Sequence, residues 1–395
     1  MNYVFISPNF PKVYSHFVKA LHDRGVNVLG IGDEPYESLN DELKQNLTEY
    51  CHVVDMNRLD WMKDTVRYLK DKYGPIDYIE SNNEYWMMND AKLREEFDVI
   101  NGYRVEELLH YRKKSSMKEY FSNSGVKTAR YIIASSYEES LRFAEEVGYP
   151  LFAKPDEGVG ASATYKIENN EDLERFHSQH LSEPYIIEEY IEGYIISFDG
   201  IANKNNEVVI SFNEVFPTPI AEVVTSNKDV FYYAKTIMND DFRNMGERVV
   251  KAFNISSRCF HIEFFVLTKD KEGLGEKGDI VGLEVNLRSP GGNTSDMLDL
   301  VSLPGYYNSY ADMIVNQIGK IDNLTNKIAI SVNRKKEYKY IEDEENIKTF
   351  YGNNIVEHGF YPPLFRNAMG DEYYIGLFSN LKMALLFERF VHNKK

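Results

Sequence analysis

The chain has 395 residues, 43% of them hydrophobic and 27% charged, which is ordinary for a globular protein of two or three domains. Its net charge of −17 argues against nonspecific nucleic-acid binding and against attachment to anionic membranes. It has 2 cysteines, no apolar run near the ~20 residues of a membrane span, and no signal-peptide pattern, so we expect a cytoplasmic protein without a disulfide framework.

The N-terminal part of the chain alternates predicted strands with predicted helices, which indicates an open parallel α/β layer. The strands are predicted at 3–6, 26–31, 51–54 and 76–80, and the helices at 13–23 and 59–72. Such sheets bind ligands at the carboxyl ends of their strands. Glu84 follows the fourth strand, so it either faces a substrate or is a solvated loop acid. The first strand is not followed by G-x-G-x-x-G, and no dinucleotide site is predicted.

The remainder of the chain is predicted to mix strands and helices without a low-complexity linker or an internal repeat. Strands dominate from 126 to 216, the segment 229–253 is predicted to be helical, and the tail holds strands at 328–332 and 373–378. The other helices are predicted at 105–109, 113–123, 137–147, 171–179, 300–317, 342–349 and 381–391. The predicted fold class is therefore α/β in the N-terminal layer and α+β beyond it.

Glu263 and Glu284 each stand in an apolar, strand-like run, and the two runs flank a polar stretch at 268–279. The midpoint of the two glutamates coincides with the midpoint of that stretch, so a regular hairpin would place them directly opposite each other. Like charges opposite each other destabilise a sheet, and burial raises the cost. The arrangement is favourable with a cation between the carboxylates, and hard divalent ions such as Mg²⁺ choose oxygen ligands.

The second strand of this hairpin continues the polar row. Side chains alternate between the faces of a strand, so Glu284, Asn286 and Arg288 share one face. They offer a charged metal ligand, a neutral oxygen ligand and a guanidinium suited to phosphate or carboxylate. The alternative is a half-solvated strand with ordinary polar residues, which fits the apolar neighbours less well. His261 shares the face of Glu263 and could orient a ligand or act as a base, although a structural histidine is the commoner case.

Lys154 stands inside the short apolar run 150–155, where a buried lysine needs an anionic partner. The segment 156–164 follows at once and consists mostly of small residues, which let backbone N–H groups approach phosphate oxygens closely. A plain hairpin turn is the alternative for this loop. The lysine on the incoming strand favours phosphate binding.

The order of these features resembles the ATP-grasp superfamily from about residue 113 to residue 293. A helix lysine, a strand lysine, a small-residue hairpin, an acidic hinge, a strand glutamate and then E-x-N-x-R follow one another. The pattern is similar to the biotin carboxylase and carbamoyl-phosphate synthase branch, while 261–263 and 288–292 are more similar to carboxylate–amine ligases, which include L-amino-acid ligases. The resemblance implies an N-terminal pre-ATP-grasp domain at 1–104, an ATP-grasp domain at 105–318 with a lid subdomain at about 126–187, and a C-terminal α+β region at 319–395.

The resemblance also implies roles for individual residues. Lys114 matches the first nucleotide-binding lysine, with Lys113 and Lys118 as rivals on the same helix. Lys154 would contact the α- and β-phosphates, and a lid loop would cover the nucleotide with Gly158, Gly160, Ala161 and Ser162. The implied adenine hinge consists of Glu188, Glu189, Tyr190, Ile191 and Glu192. Within it, Glu189 and Ile191 would contribute main-chain groups. The implied metal ligands are Glu263, Glu284 and Asn286, the catalytic cations are Lys154 and Arg288, and the substrate contacts are Arg288, Ser289, Gly291 and Gly292. Ile195 departs from the pattern because it stands where the family has a ribose-binding acid, a role that Glu192 could take over.

The resemblance implies a carboxylate–amine ligase that forms an amide or peptide bond through an acyl phosphate and releases ADP and phosphate. Its cofactors would be ATP and Mg²⁺, or Mn²⁺, its partners a small-molecule carboxylate and an amine, and its assembly could be a homodimer. One rival is a bicarbonate-activating carboxylase or carbamoyl-phosphate synthase-like enzyme, which would need a biotinyl carrier, a glutaminase partner or a second ATP-grasp half. The other rival is a nonenzymatic nucleotide-binding protein.

Overall fold

The computed structural model describes residues 1–157, 164–179, 181, 183–219, 223, 227–321 and 325–395. Four predicted loop residues, Gly158, Gly160, Ala161 and Ser162, lie outside these ranges. Among the described residues, no helix combines the length and the apolar character that crossing a membrane requires.

The N-terminal layer is a parallel four-stranded sheet in the order β3-β2-β1-β4. Its central strand β1 is buried at every position, because helices cover both faces of a parallel sheet. The strands are β1 Asn2–Ile6, β2 Asn27–Gly32, β3 Glu49–His52 and β4 Tyr78–Glu80, and the helices are α1 Tyr14–His22, α2 Asp41–Asn46, α3 Leu59–Tyr73 and α4 Met87–Glu96, with a 3₁₀ turn at Tyr36–Ser38. The predicted open parallel α/β layer is confirmed.

A second, smaller layer follows two connecting helices, α5 Val105–Arg112 and α6 Lys114–Asn123. It is an antiparallel four-stranded sheet in the order β5-β8-β6-β7, and it has an apolar core of its own. Its strands are β5 Tyr131–Ile133, β6 Leu151–Pro155, β7 Tyr165–Ile167 and β8 Tyr185–Glu189, and its helices are α7 Tyr137–Val147 and α8 Asn170–His177. This layer lies within the segment for which a lid is predicted.

The largest sheet has eight strands in the order β13-β12-β9-β10-β11-β14-β16-β15, and neighbouring strands are antiparallel. Large apolar clusters pack on its two faces. Its strands are β9 Gly193–Ala202, β10 Val208–Phe216, β11 Val230–Lys235, β12 Arg258–Leu267, β13 Ile280–Asn286, β14 Ile328–Arg334, β15 Ile355–Phe360 and β16 Glu372–Phe378. Strands on both sides of residue 319 share this sheet, so the predicted C-terminal region extends it. The division into domains stays a prediction.

The helices around the large sheet correct two predictions. The helix predicted at 229–253 is wrong in its first part, because Val230–Lys235 is a strand between β10 and β14 and the helix begins at Asp240, where Asn239 caps it. The helix predicted at 300–317 begins only at Tyr306, because Pro304 and Gly305 separate it from a preceding helix that ends at Leu300. The helices in this part of the chain are α9 Asp240–Ala252, α10 Thr294–Leu300, α11 Tyr306–Asn316, α12 Glu344–Tyr351, α13 Arg366–Met369 and α14 Leu381–Val391, with a 3₁₀ turn at Pro363–Phe365.

Candidate functional site

Glu263 and Glu284 face each other across the β12–β13 hairpin. The register pairs Glu263 with Glu284 and His261 with Asn286, so the two glutamates are opposite each other as expected, but the hairpin is not regular because the register shifts between Glu263 and Phe264. The side-chain amide of Asn286 donates to Glu284 Oε1 at 3.2 Å, so two carboxylates and one amide lie together on one face of the hairpin. This donor set consists of oxygens and fits a hard divalent cation such as Mg²⁺.

The polar row continues into the two neighbouring strands. Ser197 on β9 lies opposite Glu263, and Glu214 on β10 lies opposite Ser197. Asp199, also on β9, lies opposite His261. Glu214 and Asp199 are fully buried, so one row of polar side chains crosses four strands of a sheet whose other positions are largely apolar.

His261 holds this row together. Its Nδ1 lies 2.5 Å from Asp199 Oδ1, and its Nε2 lies 2.8 Å from Glu263 Oε1. Burial alone would lower the pKa of His261, but the Asp199 and Glu263 carboxylates raise it well above its usual value. A ring that carries a proton on each nitrogen would donate a hydrogen bond to both acids. Sequence reasoning left it between a ligand-orienting role and a structural one.

Glu214 differs from the other acids in this row. Its burial raises its pKa well above the usual value, and the nearby Asp199 carboxylate adds to the rise. Thr294 donates a hydrogen bond to Glu214 Oε1 at 2.7 Å. Sequence reasoning missed Asp199 and did not single out Glu214 as a member of this row, although both are acids in apolar strands, which is the signal that identified Glu263.

A cluster of charged side chains from α6 and the small antiparallel sheet lies beside the hairpin. Glu188 on β8 contacts Lys154 on β6 at 2.6 Å and Lys118 on α6 at 2.5 Å. Burial would raise the pKa of Glu188, but the two lysines lower it to about 2. Burial would lower the pKa of Lys154, but Glu188 raises it, and Glu284 and Glu263 act in the same direction. The negative charges of Glu188, Glu263 and Glu284 therefore all act on Lys154.

The three candidate lysines at the start of α6 are in different environments. Lys113 is a surface residue whose side chain is 51% exposed, and it lies 3.8 Å from Glu157. Lys118 is buried against Glu188. Lys114 is 9% exposed, and its pKa is lowered by burial while Glu284 opposes the shift. Of these three lysines, Lys114 is the one on which the charge of Glu284 acts, and its assignment to the nucleotide site stays a prediction.

Arg288 connects the hairpin to the N-terminal layer. Its Nε donates to Glu84 Oε2 at 3.2 Å, and its Nη1 donates to the carbonyl of Ser289 at 3.0 Å. Burial raises the pKa of Glu84, Arg288 opposes the rise, and the negative charge of Glu284 adds to it. Glu84 is therefore paired with Arg288 and only partly exposed, which favours a position at the candidate site over a freely solvated loop acid.

The hinge after β8 is held by its own backbone and side chains. The carboxylate of Glu189 accepts from the Arg130 guanidinium at 2.7 Å, and the N–H of Glu189 donates to the Arg130 carbonyl at 3.0 Å. The N–H of Tyr190 donates to Pro150 at 3.2 Å. The N–H groups of Glu189 and Tyr190 are therefore bonded within the fold and do not offer a donor to a purine edge at this hinge.

At the position of the family's ribose-binding acid, the structure has the apolar residue Ile195. Ile195 lies within β9, opposite Phe216 on one side and Phe265 on the other. Glu192, the suggested substitute, is half exposed and pairs with Lys269 at 2.7 Å. A ribose contact through Glu192 would require that surface ion pair to open.

The turn after β13 packs against the C-terminal part of the chain. Gly292 has a φ of 61°, and a Cβ there would lie 3.1 Å from Met369 Cε. The side chain of Asn293 donates to the Tyr361 hydroxyl at 2.9 Å. The predicted substrate turn is therefore supported by residues 361–369, and nothing in the local sequence signals this contact.

Comparison with known proteins gives consistent results. Residues 112–263 match the ATP-grasp domain family. The L-arginine-specific L-amino acid ligase of Bacillus subtilis is 23% identical over 270 residues, which are 65% of this chain and 62% of that protein. The crystal structure of an L-amino acid ligase from Bacillus licheniformis has a TM-score of 0.72 and 14% identity, covering 99% of this chain and 96% of that one. A biotin carboxylase domain from the Hydrogenobacter thermophilus 2-oxoglutarate carboxylase, in complex with MgADP and bicarbonate, has a TM-score of 0.71 and 17% identity, covering 98% and 89%.

The comparisons differ in how much of each protein they cover and in what they establish. The chain spans less than two thirds of the length of the curated relatives it matches. The solved structures are alike over nearly the whole chain but at low identity, so they establish the fold, which is the mixed α/β arrangement with one parallel and two antiparallel sheets.

Proposed function

The chain belongs to the ATP-grasp superfamily, and from this premise we propose that it is an ATP-dependent carboxylate–amine ligase. It activates the carboxylate of a small molecule as an acyl phosphate, joins it to an amine, and releases ADP and phosphate. The named relatives include an amino acid ligase from Bacillus subtilis, which supports an amide or peptide bond as the product.

One observation carries this proposal. Glu263 and Glu284 are paired across a hairpin, and the buried cations Lys154 and Lys114 are electrostatically coupled to Glu284. Two opposed carboxylates are unfavourable unless a cation compensates them. A site that offers oxygen ligands for a divalent ion beside two lysines matches the charges of a nucleoside triphosphate with its metal.

The residues of the site divide the chemistry among them. Glu263, Glu284 and Asn286 would hold Mg²⁺, which neutralises phosphate charge when it is bound. Lys154 and Lys114 supply fixed positive charge for the phosphate oxygens. Arg288 lies at the far end of the same row, where it can bind the reacting carboxylate and the phosphoryl group that joins it.

The proposed reaction has two steps. A carboxylate oxygen of the first substrate attacks the γ-phosphorus of ATP, the bond from that phosphorus to the β,γ-bridging oxygen breaks, and ADP leaves. The nitrogen of the amine then attacks the acyl carbon, the bond from that carbon to the phosphate oxygen breaks, and phosphate leaves. The proton that the amine loses passes to a base or to solvent.

The test is a screen for ADP release with Mg·ATP and amino acids, offered singly and in pairs, with mass spectrometry of the products. We expect ADP release to depend on a carboxylate, and an amide of matching mass to appear in step with it. Bicarbonate alone is the second arm, because one neighbour in fold is a biotin carboxylase domain. ADP release that needs only bicarbonate, without an amide product, would reject the ligase proposal.

A further inference from the structure

Glu84 is an acid at the proposed site for which the two-step chemistry above names no role. It follows β4 at the carboxyl end of the N-terminal parallel sheet, which is where such sheets bind ligands. Its position is fixed by the preceding loop: Asn82 has a φ of 52°, in the left-handed region, and its carbonyl accepts a hydrogen bond from the buried hydroxyl of Tyr14. The loop that carries the Glu84 carboxylate is therefore anchored to Tyr14 by a buried hydrogen bond.

We propose that Glu84 forms an ammonium subsite next to the carboxylate that is activated at Arg288. This inference rests on the proposed function and deepens it, because it states the chemistry of the substrates: an ammonium group lies against Glu84, either two bonds from the reacting carboxyl carbon or in contact with it. The ligand class is an α-amino acid or an amine in its protonated form.

The geometry of the pair supports this subsite. Arg288 donates to Glu84 Oε2 at 3.2 Å, and both side chains are 24% exposed, so the contact is reachable from the site. An anion and a cation side by side match a ligand that carries the opposite charges side by side. An α-amino acid has this form, because a single carbon separates its ammonium nitrogen from its carboxyl carbon.

The attacking amine is a second source of the same ammonium group. It must reach the acyl carbon to form the amide bond, so it also ends next to the carboxylate bound by Arg288. A carboxylate at this position would hold the ammonium and accept its proton before attack. The two sources share one chemistry at Glu84, and experiment can separate them.

The competing explanation is that Glu84 only holds Arg288 in place. Glu84→Gln separates the two roles, because the amide keeps an oxygen for Arg288 and removes the negative charge that an ammonium needs. Glu84→Asp keeps the charge on a shorter side chain. Glu37→Gln, an exposed acid in the same N-terminal layer, is the matched control. Thermal unfolding of all three variants checks that they are folded.

The first arm measures binding and needs no turnover. Calorimetry of the protein with Mg·ADP compares L-alanine, L-phenylalanine, L-glutamate and L-arginine with their counterparts that lack the amino group: propionate, 3-phenylpropionate, glutarate and 5-guanidinopentanoate. The second arm follows exchange of ¹⁸O between the bridging and nonbridging positions of ATP, which reports phosphorylation of the carboxylate, and the third follows amide formation.

The subsite is supported if the wild type prefers amino acids and Glu84→Gln weakens their binding or exchange on the order of 10- to 100-fold while the des-amino acids are unchanged. Glu84→Asp should recover part of the loss. A loss confined to amide formation would identify the attacking amine as the source of the ammonium group.

Equal losses for amino acids and des-amino acids, or no loss in any of the three arms, would overturn the subsite. A protein that releases no ADP with any probe would reject the ligase proposal, while the binding arm would still decide the role of Glu84.

Discussion

The Nε2 atom of His261 lies 2.8 Å from Oε1 of Glu263, so a proposed metal ligand is held by a side chain two residues earlier in the same strand. The other ring nitrogen lies 2.5 Å from Asp199 on the adjacent strand. Because both nitrogens contact carboxylates, the ring cannot rotate without losing one of the two hydrogen bonds. Glu263 is therefore oriented before any cation binds, in the way that partners behind a metal ligand usually orient it.

The first prediction concerns this orientation. His261→Gln can bond one carboxylate but not both and carries no charge, so we expect the Mg²⁺ concentration for half-maximal ADP release to rise about 10-fold or more. The KM for ATP at saturating Mg²⁺ should change less. The measurement is a Mg²⁺ titration of ADP release, together with Mn²⁺ binding followed by electron paramagnetic resonance.

His358 provides the control for this experiment. It also lies between two carboxylates, at 2.9 Å from Glu372 and 3.4 Å from Glu344, but near the far edge of the large sheet. His358→Gln should leave the Mg²⁺ dependence as it is. An unchanged Mg²⁺ requirement in His261→Gln would remove His261 from the positioning role.

The second prediction concerns Glu284. We expect Glu284→Ala to abolish ADP formation with any substrate, because it removes one of two opposed acids and the partner of the Asn286 amide. Removing a single electrostatic contact from an active site typically lowers the rate about 100- to 1000-fold, so we expect ADP formation to fall more than about 100-fold. Glu272→Ala, an exposed acid in the same hairpin, is the control, and turnover of Glu284→Ala at the level of this control would contradict the assigned role.

The hairpin shows why part of the site was predictable from the sequence. The pairing of Glu263 with Glu284 was expected because the loop between them is centred on their midpoint, but in the structure a register shift between Glu263 and Phe264 brings the two glutamates opposite each other, and the sequence pattern did not predict that shift. The identities of Lys154 and Arg288 as members of the site also followed from their local patterns. The fold class was predictable for the same reason, since helix and strand periods are local properties.

The remaining contacts join residues that are far apart in the chain, and no local pattern encodes them. Asp199 meets His261 from 62 residues away, and Glu84 meets Arg288 from 204 residues away. The strand at Val230–Lys235 was misread as helix because its pairing partners, Asn213–Val215 and Ile328–Asn333, lie elsewhere in the sequence. Tertiary pairing overrode the local pattern there.

The third prediction concerns nucleotide binding. Lys154→Ala should weaken binding of ADP and of a nonhydrolysable ATP analogue about 10-fold or more, because it removes a buried cation from the place assigned to the phosphates. Glu188 keeps Lys118 as a partner in this variant, so the small antiparallel sheet that contains Glu188 should remain folded. The measurement is isothermal titration calorimetry with each nucleotide.

Lys348→Ala is the control for that experiment. Lys348 lies on α12, outside the proposed site, is exposed, and pairs with Glu344. Its removal should leave nucleotide affinity within about 2-fold, as for most surface ion pairs. Equal affinities for Lys154→Ala and wild type would take Lys154 out of the nucleotide site.

The fourth prediction concerns the pH dependence of stability and the pKa of Glu188. That pKa falls from its usual value of about 4.5 to about 2 in the folded protein, where burial opposes the shift and Lys118 and Lys154 produce it. A carboxyl group whose pKa is lower in the folded state stabilises the fold above its unfolded pKa, and this stabilisation is lost as the pH falls through the folded value. The stabilisation is therefore complete above about pH 4.5 and disappears toward pH 2, and its full size is on the order of 3 kcal/mol.

Glu188→Gln removes this titration, so the difference in the free energy of unfolding between wild type and variant should shrink as the pH falls. Between pH 6 and pH 3 we expect the difference to decrease by about 2 kcal/mol, measured by urea unfolding at each pH. Glu168→Gln, which breaks only the exposed pair with Lys166, should show a small difference that hardly changes over the same range. A difference for Glu188→Gln that stays constant from pH 6 to pH 3 would mean that the two lysines do not lower the pKa of Glu188 in the folded protein.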